Sequence, residues 1–181
     1  MKNGDKVRIR LICAEDEPLL RKFHATLSER SVYMRYFYHM TLSARTSHER
    51  LSKICAIDYR NEIVIVTERM NSRTHGPEII AVGRLNKLPD ASSAEFAVLV
   101  IDSCQGQGLG TELLNRLLSI AQRANIKRVI ANILPENKVM KRISEKLNFP
   151  VNYKIEKGVV IAEIVLTSIT QENCNEHWHS Q

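Results

Sequence analysis

One carboxylate stands inside an otherwise apolar segment of the chain, and it is the first candidate for chemistry. Residues 94–101 form a short run rich in Val, Leu and Ile, which predicts a central strand covered on both faces. Glu95 is the one ionisable residue in this run, and it shares a strand face with Ala97 and Leu99. Partial burial there would disfavour its charged form and suit a general base. The alternative is a paired, partly exposed strand residue.

A glycine-rich loop follows this strand and opens a predicted helix. Its three glycines alternate in the sequence QGQGLGT, which leaves backbone N–H groups unobstructed. Apolar residues recur at helical spacing through residues 111–124. Free N–H groups and the helix dipole form an anion site, so the loop is predicted to bind a phosphate-bearing ligand. The loop consists of Gln105, Gly106, Gln107, Gly108, Leu109, Gly110 and Thr111.

Two common phosphate-binding loops do not fit this sequence. A P-loop requires Gly-Lys-Ser/Thr, and no Lys occupies positions 109–111. A dinucleotide-binding loop has the spacing G-x-G-x-x-G, whereas Thr111 stands here after G-x-G-x-G. That fold also places an acidic residue at the end of the next strand, and the strand predicted at 128–134 ends in Leu before Pro135.

The remaining periodicities position these groups in a mixed α/β sheet. Residues 31–40 carry aromatic side chains near Arg35, which line a substrate or pantetheine groove, pack in the core, or do both. Ser28 is the predicted N-cap of the second helix, with Ser31 as the alternative. Asn125 and Asn148 are predicted to end helices in the left-handed conformation. Strands are predicted at 6–12, 62–70, 78–85, 94–101, 128–134, 151–156 and 159–166, and helices begin near residues 14, 28, 47, 111 and 135.

Composition excludes several classes of partner. A chain of 181 residues with ordinary apolar and charged fractions predicts one globular domain. Its net charge of +6 is not organised into basic runs interleaved with aromatics, so no nucleic-acid partner is expected. Without a long apolar run no membrane partner is expected. The four Cys form no C-x-x-C pair, so we expect no metal, and a cytoplasmic location by default.

Taken in chain order, these motifs resemble the GNAT N-acetyltransferase family. Gln-x-x-Gly-x-Gly at 105–110 matches the family's pyrophosphate loop, and the preceding strand carries Ala-Glu-Phe-Ala at 94–97. Downstream come Glu136-Asn137 and then Lys-Leu-Asn-Phe at 146–149, where the family usually has Glu-Asn and Lys-Leu-Gly-Phe. The resemblance predicts a GNAT domain over residues 7–170 and a polar C-terminal tail over 171–181.

Three segments look in particular like the acetyltransferase domain of bacterial protein lysine acetyltransferases. They are LSERSVYMRYF at 27–37, IDYR at 57–60 and AEFA at 94–97. This resemblance implies a protein acceptor such as an acyl-CoA synthetase, because members of that group acylate metabolic enzymes. It also implies that Glu95 is the general base, and it favours that role over a paired strand residue.

The resemblance further implies a fold and a cosubstrate. The implied GNAT fold is a mixed, mostly antiparallel central sheet flanked by helices, with a cofactor cleft between splayed central strands. The implied cosubstrate is acetyl-CoA, with its pyrophosphate on the loop N–H groups and Asn137 near its pantetheine arm. A primary amine, expected to be a protein lysine, would attack the thioester directly. The strand residues implied along the arm are Val98, Leu99 and Val100.

One departure from the family pattern leaves the general acid open. Ser144 stands where many relatives have a Tyr that protonates the leaving thiolate. Either the thiolate leaves unassisted or another hydroxyl serves. Two other functions use the same cofactor loop and remain as alternatives: acetyl transfer to a small-molecule amine, and acyl-CoA sensing without catalysis.

Overall fold

The computed structural model describes residues 1, 4 and 6–166, which form a seven-stranded sheet, six α-helices and two short 3₁₀ helices, Ala14–Asp16 and Asp102–Cys104. The strands are β1 (Arg8–Leu11), β2 (Glu62–Met70), β3 (Pro77–Lys87), β4 (Ser93–Val100), β5 (Arg128–Ile133), β6 (Val151–Glu156) and β7 (Val159–Val165). The helices are α1 (Glu17–Thr26), α2 (Glu29–Tyr36), α3 (Leu42–Arg45), α4 (His48–Cys55), α5 (Leu109–Arg123) and α6 (Lys138–Glu145).

The sheet is mixed, as the sequence predicts, with a single parallel pair at its centre among these strands. The strand order is β1-β2-β3-β4-β5-β7-β6, and only β4 and β5 run parallel. Their pairing spans three residues and ends where Glu95 lies opposite Ile130. Beyond that point β4 stays on β3 as far as Val100, while β5 stays on β7. The predicted splay of the central strands is confirmed, and it opens a cleft between them.

Helix α5 covers one face of the sheet because its leucines recur on a single side. Burying each of them contributes about 2 kcal/mol. Gly83 on β3 allows the close approach of α5, since a Cβ there would lie 3.2 Å from the Leu117 side chain. Helix α1 packs on β3 through the opposite face, where Leu20 and Phe23 lie beside Leu99. The fully buried leucines of α5 are Leu113, Leu114, Leu117 and Leu118.

The predicted element boundaries hold to within two residues at the loop. Strand β4 begins and ends one residue before the predicted 94–101, and α5 begins at Leu109 rather than at 111. Asn125 has a φ of 57°, which confirms its predicted left-handed conformation. The same prediction for Asn148 is wrong, because its φ is not positive. Tight turns already end α6, with Lys146 N–H donating to the Ile143 carbonyl, so no left-handed residue is required there.

Several expectations concern what the chain lacks or where it ends. Within the described residues, no helix is long and apolar enough to cross a membrane. The same part of the chain holds no group of three metal-ligating side chains. The predicted domain boundary at 170 and the tail at 171–181 lie outside the residues that the structure describes.

Candidate active site

The splayed strands leave a cleft of about 810 Å³ in front of β4. One wall is β4 itself, a second is α2, and a third is the start of α6. This volume lies within the usual range for sites that bind small molecules and cofactors. The cleft brings together seven of the predicted site residues: Glu95, Val98, Leu99, Val100, Gln105, Gly110 and Asn137. The other five predicted residues, Gly106, Gln107, Gly108, Leu109 and Thr111, do not line it.

Glu95 lies half-buried in the cleft at the last position of β4 that pairs with β5. Its Oε1 accepts a hydrogen bond of 3.0 Å from Nδ2 of Asn132 on β5. Asn132 comes two residues after the partner of Glu95, so both side chains project from the same face. Sequence reasoning missed Asn132, although it is the one polar side chain between the ends of the strand predicted at 128–134.

The edge of β4 that faces β5 is open beyond Glu95. Residues Val98, Leu99 and Val100 pair with β3 on one side and line the cleft on the other. No strand in the described part of the chain pairs with this second edge. The Val100 carbonyl accepts a hydrogen bond of 3.1 Å from Nε2 of Gln105. An extended ligand can therefore lie along the open edge between Glu95 and the glycine-rich loop.

The loop adopts a conformation that depends on two of its glycines. Gly106 and Gly108 have φ values of 73° and 90°, in the left-handed region that most side chains avoid. A Cβ added at Gly106 would have no atom within 4 Å. None of the N–H groups of residues 106–111 donates to another described residue. These free donors lie at the start of a 15-residue helix, at the place where the sequence predicts an anion site.

Asp102 ties the start of α2 to this loop, and sequence reasoning gave no signal for it. Its carboxylate accepts from the Ser28 N–H at 2.9 Å, from Ser28 Oγ at 2.7 Å and from Ser31 Oγ at 2.8 Å. Burial opposes ionisation of Asp102, but these hydrogen bonds outweigh it and lower the pKa of its carboxyl. Gln105 Nε2 also donates to Ser31 Oγ at 3.1 Å. The predicted N-cap is confirmed, since Ser28 Oγ accepts from the Ser31 N–H.

The start of α6 contributes Asn137, while Ser144 is turned away from the cleft. Asn137 is the N-cap of α6, and its Oδ1 accepts from the Met140 N–H at 3.1 Å. Ser144 is buried, and its Oγ donates to the Met140 carbonyl at 3.1 Å. Because it does not line the cleft, Ser144 is not placed to protonate a leaving group there.

The aromatic segment of α2 both lines the cleft and packs against arginines. Tyr36 lines the cleft, and two guanidinium groups contact its ring, with Arg35 Cζ at 4.9 Å and Arg50 Cζ at 5.0 Å from its centroid. Arg50 Nη1 donates to the Arg45 carbonyl at 3.2 Å and lies 3.4 Å from Nε2 of His24. Both roles considered for this segment, groove and core, therefore apply at Tyr36.

His24 should make stability depend on pH. It is 3% exposed, and burial together with the charges of Arg50, Arg45 and Arg35 lowers its pKa to about 3. Below pH ~6.5 the unfolded chain binds a proton at this ring that the folded chain does not. The free energy of unfolding should therefore fall by about 1.4 kcal/mol per pH unit between pH ~6.5 and ~3 from this residue.

Urea denaturation at several pH values tests this expectation. His24→Asn should reduce the slope of the free energy of unfolding against pH by about 1.4 kcal/mol per pH unit. Any loss of stability that does not depend on pH leaves this reduction unchanged. The matched control is His75→Asn in the exposed β2–β3 turn, which should keep the wild-type slope. If the slope of His24→Asn equals that of wild type, the folded and unfolded chains bind a proton at His24 equally, and the prediction is wrong.

Comparison with known proteins agrees with this geometry. The sequence profile described as acetyltransferase (GNAT) domain matches residues 6–150. The chain is 30% identical over 114 residues to acetyltransferase Pat from Mycolicibacterium smegmatis, a stretch that covers 63% of this chain and 33% of that relative. The chain thus spans about a third of the length of this relative.

Solved structures agree as well. The GNAT domain of S. lividans PAT superposes with a TM-score of 0.80 at 26% identity, covering 91% of this chain and 93% of that one. The PaiA N-acetyltransferase from Thermoplasma acidophilum, in complex with coenzyme A, gives a TM-score of 0.68 at 16% identity, covering 89% and 99%. The second likeness concerns the fold alone.

Proposed function

Because the chain belongs to the GNAT acetyltransferase family, whose enzymes use acetyl-CoA, we propose that it transfers acetyl groups from acetyl-CoA to lysine side chains of proteins. The observation that carries this proposal is Glu95, held by Asn132 at the point where β4 and β5 part. The likeness to acetyltransferase Pat and to the PAT domain supports a protein acceptor. We take residues 7–170 as the acetyltransferase domain, 171–181 as its tail, and the cytoplasm as its compartment.

The glycine-rich loop would hold the cosubstrate by its phosphates. The free N–H groups of residues 106–111 suit a pyrophosphate, since the positive end of the α5 dipole lies at the same place. The open edge of β4 at Val98, Leu99 and Val100 offers backbone groups to the pantetheine arm. Asn137 would contact that arm from the start of α6. Together these contacts would direct the thioester toward Glu95.

Glu95 would make the acceptor amine reactive by accepting its proton. A lysine amine has an ordinary pKa of ~10.4, so its neutral form at pH ~7.4 costs about 4 kcal/mol. Glu95 accepts the proton, directly or through a water, as the amine nitrogen forms its bond to the thioester carbon. Asn132 orients the carboxylate during this step. A backbone N–H on the open edge of β4 stabilises the negative charge that develops on the carbonyl oxygen.

Collapse of the tetrahedral adduct breaks the carbon–sulfur bond and releases coenzyme A. Ser144 cannot supply the proton, because its hydroxyl donates to the Met140 carbonyl outside the cleft. A thiol has an ordinary pKa of ~8.5, so the thiolate is a tolerable leaving group without a positioned acid. We therefore assign no general acid to this reaction.

Acetylation of an intact acyl-CoA synthetase tests the proposed function. Incubation with acetyl-CoA should release free coenzyme A and leave acetyl-lysine on the acceptor, detected by mass spectrometry of its peptides. An acceptor whose lysines have been dimethylated is the matched control, and it should release no coenzyme A beyond the background rate. Coenzyme A release with spermidine but not with the protein would indicate a small-amine enzyme. Binding of acetyl-CoA without release from any amine would indicate a sensor.

A further inference from the structure

Arg35 is a cleft-lining guanidinium without an anionic partner in the described part of the chain. Neighbouring arginines are engaged: Arg84 pairs with Glu62, and Arg45 Nη1 lies 3.1 Å from the Glu29 carboxylate. Arg35 makes no ion pair and no hydrogen bond to a described residue, and its one defined contact is the ring of Tyr36. A half-buried guanidinium is costly to leave unpaired, so this arrangement suits an anion that arrives with a ligand.

A small inner pocket extends from this guanidinium between β4 and helix α1. It has a volume of about 30 Å³, room for a group the size of one water molecule, and it is lined by Arg35, His24, Ala97 and Leu99 among others. Arg50 can only donate to His24 Nε2, so the ring carries its proton on Nδ1. That Nδ1 is buried and has no hydrogen-bond partner. The lining of this pocket therefore includes an unpaired guanidinium and a histidine whose ring N–H has no acceptor.

The surrounding charges favour an anion rather than a neutral acceptor. Burial lowers the pKa of the Arg35 guanidinium, and the positive charges of Arg84 and Arg50 act in the same direction, but the group stays protonated at neutral pH. The carboxylate of Glu95 acts in the opposite direction, yet it is bonded to Asn132 rather than to Arg35. The pocket thus keeps an excess of positive charge at the end of the cleft where Glu95 lies.

Position and shape identify the anion as a carboxylate. Arg35 lines the pocket with Ala97 and Leu99, which share the Glu95 face, whereas the N–H groups proposed for the pyrophosphate follow the end of β4. The planar fork of a guanidinium matches a carboxylate through two parallel hydrogen bonds. The Tyr36 ring, whose centroid lies 4.9 Å from Arg35 Cζ, contacts this guanidinium and limits its movement.

We infer that Arg35 binds a carboxylate that one of the reactants brings to the Glu95 end of the cleft, and so determines specificity. This inference rests on the proposed acyl transfer and adds a substrate class to it. The carboxylate has two possible sources. It is either the free end of a dicarboxylic acyl group, as in succinyl-CoA, or an acidic side chain beside the acceptor lysine.

Two arms of one experiment separate these sources. The donor arm measures Kd by calorimetry for succinyl-CoA and for butyryl-CoA, which carries a methyl group in place of the carboxylate. The acceptor arm measures kcat/KM with acetyl-CoA and two peptides that differ only in Glu or Gln beside one lysine. We expect wild type to prefer the carboxylate by about tenfold in one arm, as a charge-assisted bidentate contact implies. Arg35→Met should bring that ratio to about one, and Arg35→Lys should retain part of it.

The control is Arg123→Met, which removes the same charge from an exposed position in the last turn of α5, outside the cleft, and should keep the wild-type ratio. The inference would be overturned if wild type bound succinyl-CoA and butyryl-CoA equally well and also showed no preference for the Glu peptide. Equal binding of the two donors together with no turnover of either peptide would overturn it as well. So would an equal loss of affinity for coenzyme A, succinyl-CoA and butyryl-CoA in Arg35→Met, because that assigns the guanidinium to the phosphates. Absence of turnover with a preserved succinyl-CoA preference would sink lysine acetylation but support the carboxylate site.

Discussion

Glu95→Gln should lower kcat/KM for acetyl transfer by about 10²–10⁴-fold, the usual contribution of a positioned general base. The substitution is nearly isosteric, and the amide oxygen of Gln can still accept the hydrogen bond from Asn132 Nδ2. The Kd for acetyl-CoA should therefore stay within about twofold of wild type. Free-thiol release gives the rate, and calorimetry gives the affinity. The rate defect should shrink as the pH approaches ~10.4, because the lysine amine then loses its proton without help.

Glu136→Gln is the matched control for this prediction. Glu136 is an exposed carboxylate that also lines the cleft, but it lies in the turn before α6 rather than on β4. Its replacement should change kcat/KM by at most a few-fold. Equal rates for wild type and Glu95→Gln would remove the proposed base while leaving the fold unaffected. A defect that persists undiminished at pH ~10 would instead assign Glu95 a role in positioning the acceptor.

The sequence could predict the environment of Glu95 but not its hydrogen bond. Alternation along a short apolar run places this side chain on a strand face with Ala97 and Leu99, whatever the rest of the sheet does. Its partner Asn132 depends on the register of β4 against β5, and that register is set by pairing over only three residues. Register between strands distant in sequence is fixed by tertiary packing, which no local pattern contains. The splay of β4 and β5, which opens the cleft, is predicted only by the family resemblance.

The course of the aromatic segment at 31–40 is likewise not contained in any local sequence pattern. The density of aromatic residues near Arg35 predicts a groove, and Tyr36 does line the cleft, but the pattern does not reveal that α2 ends there. Phe37 adopts a left-handed φ of 68°, which is rare for a bulky residue, so no local preference announces the turn. Beyond it, His39 folds back to stack on Tyr33 at 5.1 Å, while Tyr38 is exposed and lines no part of the cleft.

The sequence predicts the glycine-rich loop but not the Asp102 hydrogen bonds that connect α2 to the loop. A glycine in the sequence indicates backbone freedom directly, and both Gly106 and Gly108 adopt the left-handed conformation that glycine permits. Asp102 lies more than 70 residues from Ser28 and Ser31, the serines that bind it. A contact of that separation depends on how α2 docks on the sheet, and a lone Asp in a turn is compatible with many other roles.

Gly106→Asp should raise the Kd for acetyl-CoA by about 10²-fold relative to Gly106→Asn. Asn and Asp both tolerate the left-handed φ of 73° at this position, and a Cβ there meets no atom within 4 Å. The two variants therefore share their backbone cost and differ mainly in one negative charge beside the proposed pyrophosphate site. Two unit charges about 6 Å apart at an effective dielectric constant of ~20 repel by about 3 kcal/mol, which is about 10²-fold.

Calorimetry at two salt concentrations separates charge from strain in this prediction. The difference in Kd for acetyl-CoA between Gly106→Asp and Gly106→Asn should become smaller as ionic strength rises toward ~1 M, because salt screens the repulsion. Gly158→Asp is the matched control, since Gly158 has a φ of 79°, an open Cβ position and a place in the β6–β7 turn away from the cleft. It should leave the affinity for acetyl-CoA unchanged. Equal Kd values for Gly106→Asp and Gly106→Asn would mean that the phosphates bind elsewhere, and the anion site at residues 106–111 would have to be abandoned.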